Sequence, residues 1–340
     1  MTTRIFLIRH AEAEGNLFRV AHGQYDSCLT PRGYRQLACL RERFREERLD
    51  AVYGSDLTRT RATASALYVP RGLAFRPLPL LREIKLGSWE QMTWGEIARQ
   101  DRQMYIDFNK RPNLWHVLGA ETFAQVRDRT LEAVRRIAAE NPGATVAAAS
   151  HGAALRTLLG ALQGLSLEET GATGHGDNTA VSLLEVEGDQ IRVVFRDDAS
   201  HVPAALSTFR RQSWHRDDAA TEPGLWFRTV SEGDGGRMAD AMLDEQKVGR
   251  VSVVIEPDAA RITDYQILPK LRGQRYGVQL LGQAVQLARA RERDALLLRC
   301  GGELAGYFLQ YGFQEAARFG QSVELRMDLR RQVLEVPPLA

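Results

Sequence analysis

Lysine is scarce in this chain: Lys85, Lys110, Lys247 and Lys270 are all it carries, so its positive charge is almost entirely arginine. Cysteine is nearly as rare. Cys28, Cys39 and Cys300 are odd in number and show no CxxC spacing. That argues against a disulfide framework or a zinc ribbon and suits a reducing, cytoplasmic setting. No apolar run approaches the ~18 residues of a membrane span. No basic segment followed by a long apolar core opens the sequence, so a secretory leader is not expected. Neither sign of charge dominates, with 45 Lys and Arg against 43 Asp and Glu. No bulk field therefore points to nucleic acid or to an anionic membrane. Fixed-period repeats and low-complexity tracts are absent as well.

What is present is enough apolar material for more than one core: 44% of 340 residues. A chain of this length is expected to split into two domains. The first half alternates short apolar strands with helices, which implies a mainly parallel sheet. Ile5-Phe6-Leu7-Ile8 reads as a strand that stops at Arg9 and His10. Ala51-Val52-Tyr53 stops at a polar loop leading to Arg59, and Ala144 to Ala149 stops at Ser150-His151-Gly152. Helices are predicted after Thr30-Pro31, a good N-cap and first-turn pair, from about Thr60 to Tyr68, from about Thr122 to Ala139, and from Ala153 to Leu162. In a parallel sheet all three strand ends fall on one edge, where ligands bind. The helix after His151 also aims its free N–H groups there, which suits a phosphate.

That edge has the parts for phosphoryl transfer. Arginine forks match phosphate oxygens. A neutral imidazole is a competent nucleophile toward phosphorus, and a second can donate to an oxygen as charge develops. An acid for the leaving alkoxide is still needed. Glu83 is the candidate, in a loop beside Leu81, Ile84 and Trp89, whose apolar character would raise its pKa. On spacing alone Glu90, Glu12 and Glu14 compete with it.

Arg9-His10 with Asn16 six residues later resembles the signature of the histidine phosphatase superfamily, which includes the cofactor-dependent phosphoglycerate mutases. Leu29-Thr30-Pro31-Arg32-Gly33, Ser55 to Arg59 with Thr63-Ala64, Leu81-Arg82-Glu83 with Gly87 to Glu90, Gly119 to Thr122, and Ser150-His151-Gly152 follow in the family's order. Asn178-Thr179-Ala180 and Asp198 to His201 extend the likeness to about residue 208. The resemblance implies a three-layer α/β/α domain of the phosphoglycerate-mutase type. It implies His10 as phosphoryl acceptor, with Arg9, Arg59, His151 and Asn16 on the phosphoryl group. Glu83 becomes the proton donor that later activates water, and no metal is required. Ala11 and Ala120 stand where glycine is usual. The loop after Glu83 looks like the phosphatase branch, so hydrolysis is favoured over mutase transfer. His22, His116, His175 and His215 show no ligand spacing and read as loop or surface residues, with His22 and His116 the two that could line a pocket mouth. His201 reads as structural. Trp89, Trp94 and Trp115 read as packing.

Residues 209–222 carry little apolar pattern and read as a linker. Beyond them come predicted strands at Leu225–Val230, Val251–Ile255, Arg261–Ile267 and Ala295–Leu298. A short helix is predicted near Met238–Leu243, a bend at Gly249, and a longer helix from Val278 to about Arg291. The turn Arg272-Gly273-Gln274-Arg275-Tyr276-Gly277 before that helix is either a pyrophosphate cradle or an ordinary tight bend. It resembles motif A of the GNAT acetyltransferases, and Ala305, Phe308, Tyr311, Gly312 and Phe313 look like that family's closing helix and strand. The resemblance implies an α+β domain over 223–332, followed by a tail at 333–340. It makes Arg272, Gly273, Gln274, Tyr276 and Gly277 the candidates for holding acetyl-CoA. Arg275 occupies a usual glycine, and Phe308 stands where many members carry a thiolate-protonating Tyr, so the fold is better supported than the activity. The expected partners are a small phosphate ester and CoA; a homo-oligomer is compatible with the sequence.

Overall fold

The computed structural model describes residues 1–212, 224–233 and 236–330. Most of the expected linker, from residue 213, the C-terminal tail and His215 lie outside the described residues. The first half contains β1 (Thr3–Arg9), α1 (Glu14–Phe18), α2 (Pro31–Arg43), β2 (Ala51–Gly54), α3 (Thr58–Tyr68), β3 (Phe75–Pro77), α4 (Trp94–Gln100) and α5 (Arg102–Lys110). It continues through α6 (Phe123–Glu140), β4 (Thr145–Ser150), α7 (Gly152–Leu162), α8 (Leu167–Thr170), β5 (Val181–Glu187) and β6 (Gln190–Asp198). The six strands form one sheet in the order β3-β2-β4-β1-β5-β6. The four from β3 to β1 are mutually parallel, and β5 and β6 are antiparallel.

Register places the chemistry. Arg9 pairs with Ser150 and Gly54 with Ala149, so β1, β2 and β4 end side by side and deliver His10, Ser55 and His151 to the same edge. The strands are buried on both faces, as parallel strands between helices must be. One core holds Phe6, Ile8, Val52 and the α2 stripe Leu37, Leu40; the other holds Ile5, Leu7, Val146 and Ile137 of α6. The α2 start follows its local code: the Thr30 hydroxyl accepts the Gly33 N–H, with Pro31 in the first turn.

The second half contains β7 (Trp226–Gly233), β8 (Gly236–Leu243), β9 (Gln246–Ile255), β10 (Ala260–Ile267), α9 (Tyr276–Arg289), β11 (Ala295–Gly301), α10 (Gly302–Leu309), β12 (Gln314–Phe319) and β13 (Ser322–Asp328). They form a second sheet ordered β12-β13-β11-β10-β9-β8-β7. The parallel pair β10–β11 holds together only over Ala260–Ile262. Beyond that the two strands separate, and a cleft opens in front of the α9 N-terminus. Two expectations fail here. The segment 238–243 is not a helix but β8, paired on both sides along its length. Tertiary pairing overrides the helix-forming Met and Ala residues. Gly249 is not a bend but lies inside β9, where a Cβ would press on the Gln266 carbonyl.

The two halves share a core. Leu17, Phe18 and Val20, around α1, pack with Leu281 and Val285 of α9. Gly282 lets Phe18 approach: a Cβ there would sit 2.5 Å from the Phe18 Cβ. Arg289 donates twice to Glu14, at 2.9 Å each. Gly282→Val is therefore expected to destabilise the protein by about 1–3 kcal/mol through overpacking. Urea melts of the full chain check this; an unchanged midpoint would mean the two helices are not in contact. No described helix is long and apolar enough to cross a membrane.

Candidate active site

His10 sits just past β1 and is 2% exposed. Its Nδ1 lies 2.8 Å from the Ala11 carbonyl oxygen. A carbonyl only accepts, so Nδ1 carries the proton and Nε2 keeps its lone pair. The Asn178 amide holds the His10 carbonyl at 2.7 Å. The His151 ring lies 5.2 Å from that of His10, centroid to centroid. Ser55 Oγ holds His151 Nε2 at 2.8 Å, while His151 Nδ1 is buried without a hydrogen-bond partner among the described residues. Arg9 donates to the Gly176 carbonyl, and Arg59 donates to the carbonyls of His22, Gly23 and Tyr25. The Nε atoms of both arginines are buried and unpartnered among the described residues. Buried polar atoms are seldom left so. Two arginine N–H groups and one ring nitrogen of His151 are thus left without a partner among the described residues in the surroundings of His10, a set that suits a tetrahedral oxyanion.

Glu83 closes the ring of groups. Its carboxylate accepts the N–H groups of Ala153 at 3.0 Å and Ala154 at 2.9 Å, in the first turn of α7. It also accepts the Ile84 N–H at 3.0 Å. Glu83 is half-buried, and its anchors are backbone amides rather than the apolar neighbours expected from the sequence. Its rivals are occupied elsewhere: Glu12 with Arg32 and Thr30, Glu14 with Arg289, and Glu90 with the N–H groups of Gln24, Tyr25 and Leu86.

Residues 5–199 match the sequence model of the histidine phosphatase superfamily (branch 1). The chain belongs to the histidine phosphatase superfamily. Its N-terminal half is accordingly a hydrolase of the phosphatase type. Among curated relatives, the metal-independent phosphoserine phosphatase of Arabidopsis thaliana is 30% identical over 206 residues, covering 59% of this chain and 83% of the relative. A probable phosphoglycerate mutase, GpmB of Serratia proteamaculans, is 30% identical over 162 residues, covering 48% and 75%. The solved structure of Bacillus stearothermophilus YhfR superposes with a TM-score of 0.57 at 33% identity, over 59% of this chain and 100% of that one. Residues 203–310 match the model of the GNAT acetyltransferase family.

In this histidine phosphatase the pocket beside the ring is small, about 90 Å³, and is lined by Arg9, Asn16, Arg19, His22, Glu83 and His175 among others. Asn16 accepts the Ala13 N–H at 3.0 Å and faces that pocket. His22 meets the His10 ring edge-on at 5.8 Å, its Nδ1 held by Ser27 at 2.9 Å. His175, read as a loop or surface residue, does lie in a loop, and the fold brings that loop to the pocket beside Arg156. His116 is exposed and does not line the pocket. His201 braces Arg43 and Thr179 away from the chemistry. The tryptophans pack together in one cluster with Phe108, and Trp94 also reaches the pocket. The expected linker begins as part of the site: Phe209 lies under the Arg9 guanidinium, and Gln212 donates to the Asn16 carbonyl.

Sequence reasoning missed Arg129. This α6 residue donates to the carbonyls of Leu80, Arg82 and Glu83 and pairs with Glu121. It fixes the loop that presents Glu83. It also explains Glu121, which accepts the Lys85 N–H at 2.8 Å.

Burial, then the charges of Arg59 and Arg9, push the His10 pKa well below its ordinary value. Burial and Arg59 do the same to His22 and His151. Burial, then Arg43, brings His201 down to about 4. These imidazoles are neutral in the fold and would take up protons on unfolding below their ordinary 6.5. The unfolded state then binds more protons, so stability is full above about pH 6.5 and falls toward about pH 4. The urea midpoint is expected to be lower at pH 5 than at pH 7. His201→Gln should shrink that difference, and an equal pH dependence in wild type and variant would contradict the assignment.

In the second half, Arg272, Gly273, Gln274, Tyr276 and Gly277 do converge on one wall of a cleft of about 1090 Å³. The N-terminal amides of α9 open onto it. Arg275 caps the helix at φ 68°. That is the left-handed conformation a glycine adopts without strain, and a larger residue adopts at a cost of ~1–2 kcal/mol. Phe308 is buried and meets the Tyr265 and Phe313 rings edge-on. The Tyr307 hydroxyl stands over Gly277 and 3.2 Å from that of Tyr265. Cleft, cradle and helix terminus fit a pyrophosphate-bearing ligand.

Proposed function

We propose that the N-terminal domain, taken as residues 1–208, hydrolyses a small phosphomonoester through a phosphohistidine on His10, without a metal. The observation that carries the reading is that His10 spends its Nδ1 proton on the Ala11 carbonyl and keeps the Nε2 lone pair, while Arg9 Nε, Arg59 Nε and His151 Nδ1 nearby stay unpartnered among the described residues. In the first step His10 Nε2 forms a bond to phosphorus as the bond to the ester oxygen breaks. Glu83 gives its proton to the departing alkoxide. In the second step Glu83 takes a proton from water, whose oxygen bonds to phosphorus as the P–N bond breaks. Inorganic phosphate leaves and His10 is restored. Arg9, Arg59, His151 and Asn16 hold the three equatorial oxygens throughout.

The phosphoserine phosphatase relatives make phosphoserine the first substrate to test. The GpmB relatives support the second reading, phosphoryl transfer between positions of a phosphoglycerate. A panel assay with EDTA present separates the two. Release of inorganic phosphate from phosphoserine supports hydrolysis, and isomerisation of 3-phosphoglycerate without release supports transfer.

The C-terminal domain, taken as 223–332, would bind acetyl-CoA at the 272–277 cradle and acetylate an amine. The buried Phe308 favours the alternative of a CoA-binding module without transfer. Acetyl-CoA binding with no thiol release in the presence of amines would select that alternative. A cytoplasmic location follows from the reduced cysteines the sequence implies.

A further inference from the structure

The large cleft has walls from both halves of the molecule. Arg32, at the start of α2 in the phosphatase domain, lines it together with Arg272 and Arg275 of the cradle. Arg32 is 8% exposed. One end of its guanidinium holds Glu12 at 3.1 Å, and its Nε is buried without a partner among the described residues. Glu12 is itself 1% exposed and already accepts the Thr30 and Thr208 hydroxyls. Arg275 makes no hydrogen bond or ion pair among the described residues, yet it is half-buried in the strained conformation described above. Burial and the charge of Arg32 both lower its pKa. Tyr311 feels the same three charges, and a Cβ on Gly312 beside it would come within 3.6 Å of Pro31 of α2. Two guanidiniums thus line one cleft at the domain boundary, the charge of Arg32 bearing on Arg275, and the carboxylate that Arg32 holds is already saturated. Like charges brought together at a cleft wall are stabilised by an anion.

We infer that Arg275 and Arg32 form a phosphate clamp spanning the two domains, so that the phosphatase domain supplies part of the ligand site of the GNAT-like domain. The strain at Arg275 is then understandable. A glycine would relax the backbone but remove the charge that faces Arg32. The ligand class is a phosphate- or pyrophosphate-bearing molecule. Its expected source, a CoA thioester, rests on the acetyl-CoA reading above; free inorganic pyrophosphate presents the same chemistry.

Calorimetry on the full chain tests this with acetyl-CoA and with pyrophosphate as separate probes. Arg275→Gly restores the residue usual in the cradle. If the side chain merely obstructs the backbone, binding tightens in the variant. If it clamps, the dissociation constant for both probes rises about 10-fold or more, the loss of one charged hydrogen-bond donor. Arg275→Lys should recover part of that loss. The paired variant Glu12→Gln with Arg32→Gln leaves no lone buried charge. It should weaken binding similarly against Glu12→Gln alone, with thermal melts verifying folding. Tighter or unchanged binding in Arg275→Gly, an unchanged constant in the Arg32 variant, or wild type binding neither probe would overturn the clamp. Wild type binding pyrophosphate but not acetyl-CoA would keep the clamp and remove the CoA reading.

Discussion

Replacing His10 with alanine is expected to lower kcat for p-nitrophenyl phosphate by ~10⁴-fold or more, the scale on which losing a nucleophile acts. With Nδ1 spent on the Ala11 carbonyl, the ring keeps its Nε2 lone pair for phosphorus, and neither neighbouring imidazole is expected to take over its role. His151 has Nε2 tied to Ser55 and is assigned to the phosphoryl oxygens. His22 has Nδ1 tied to Ser27 and lies at the edge of the His10 ring. Arg9, Arg59, His151 and Asn16 remain in the variant, so phosphate ester should still bind, and KM should change far less than kcat. Acid-labile, base-stable labelling of the wild type by a labelled ester, absent from the variant, checks the covalent step. Turnover retained within tenfold of wild type would end the assignment.

Glu83→Gln carries the second large effect. Glutamine keeps one carbonyl oxygen for the α7 amides but presents an NH₂ where the other carboxylate oxygen meets an N–H. It can neither give a proton nor take one. The expected loss is ~10²–10⁴-fold on an alkyl phosphate such as phosphoserine. It should be distinctly smaller on p-nitrophenyl phosphate in the first step, because nitrophenolate departs without a proton. Single-turnover rates on the two substrates make the comparison. Equal losses would mean that Glu83 acts by holding the loop, the role Arg129 has, and not as the acid.

The places of Arg9, His10, Arg59 and His151 were legible in the sequence because each lies at or just beyond an apolar run that stops abruptly, while the role of His10 as nucleophile came from the family resemblance. A parallel sheet must then gather such ends. Glu83 was legible only through the family resemblance, since four glutamates had comparable spacing. The partners that disqualify the others, Arg32, Arg289 and three loop amides, belong to other elements. Arg129 was invisible for a similar reason. It reads as one more exposed helix arginine, and its meaning lies in three carbonyls more than forty positions away. The β8 segment misled because Met-Ala-Asp-Ala-Met-Leu has good helix formers. Its buried Asp240 is matched by Lys247 and Arg250 across the hairpin, a relation only pairing reveals.

The apolar seam between α1 and α9 has a practical consequence. Leu17 and Phe18 share α1 with Asn16, Val20 leads on to His22, and all three apolar residues are covered by the other half. Cutting the gene after residue 208 would strip that cover and hand the isolated phosphatase a sticky face next to its own entrance. A soluble fragment will need that helix re-dressed in water-compatible side chains before it can be assayed by itself.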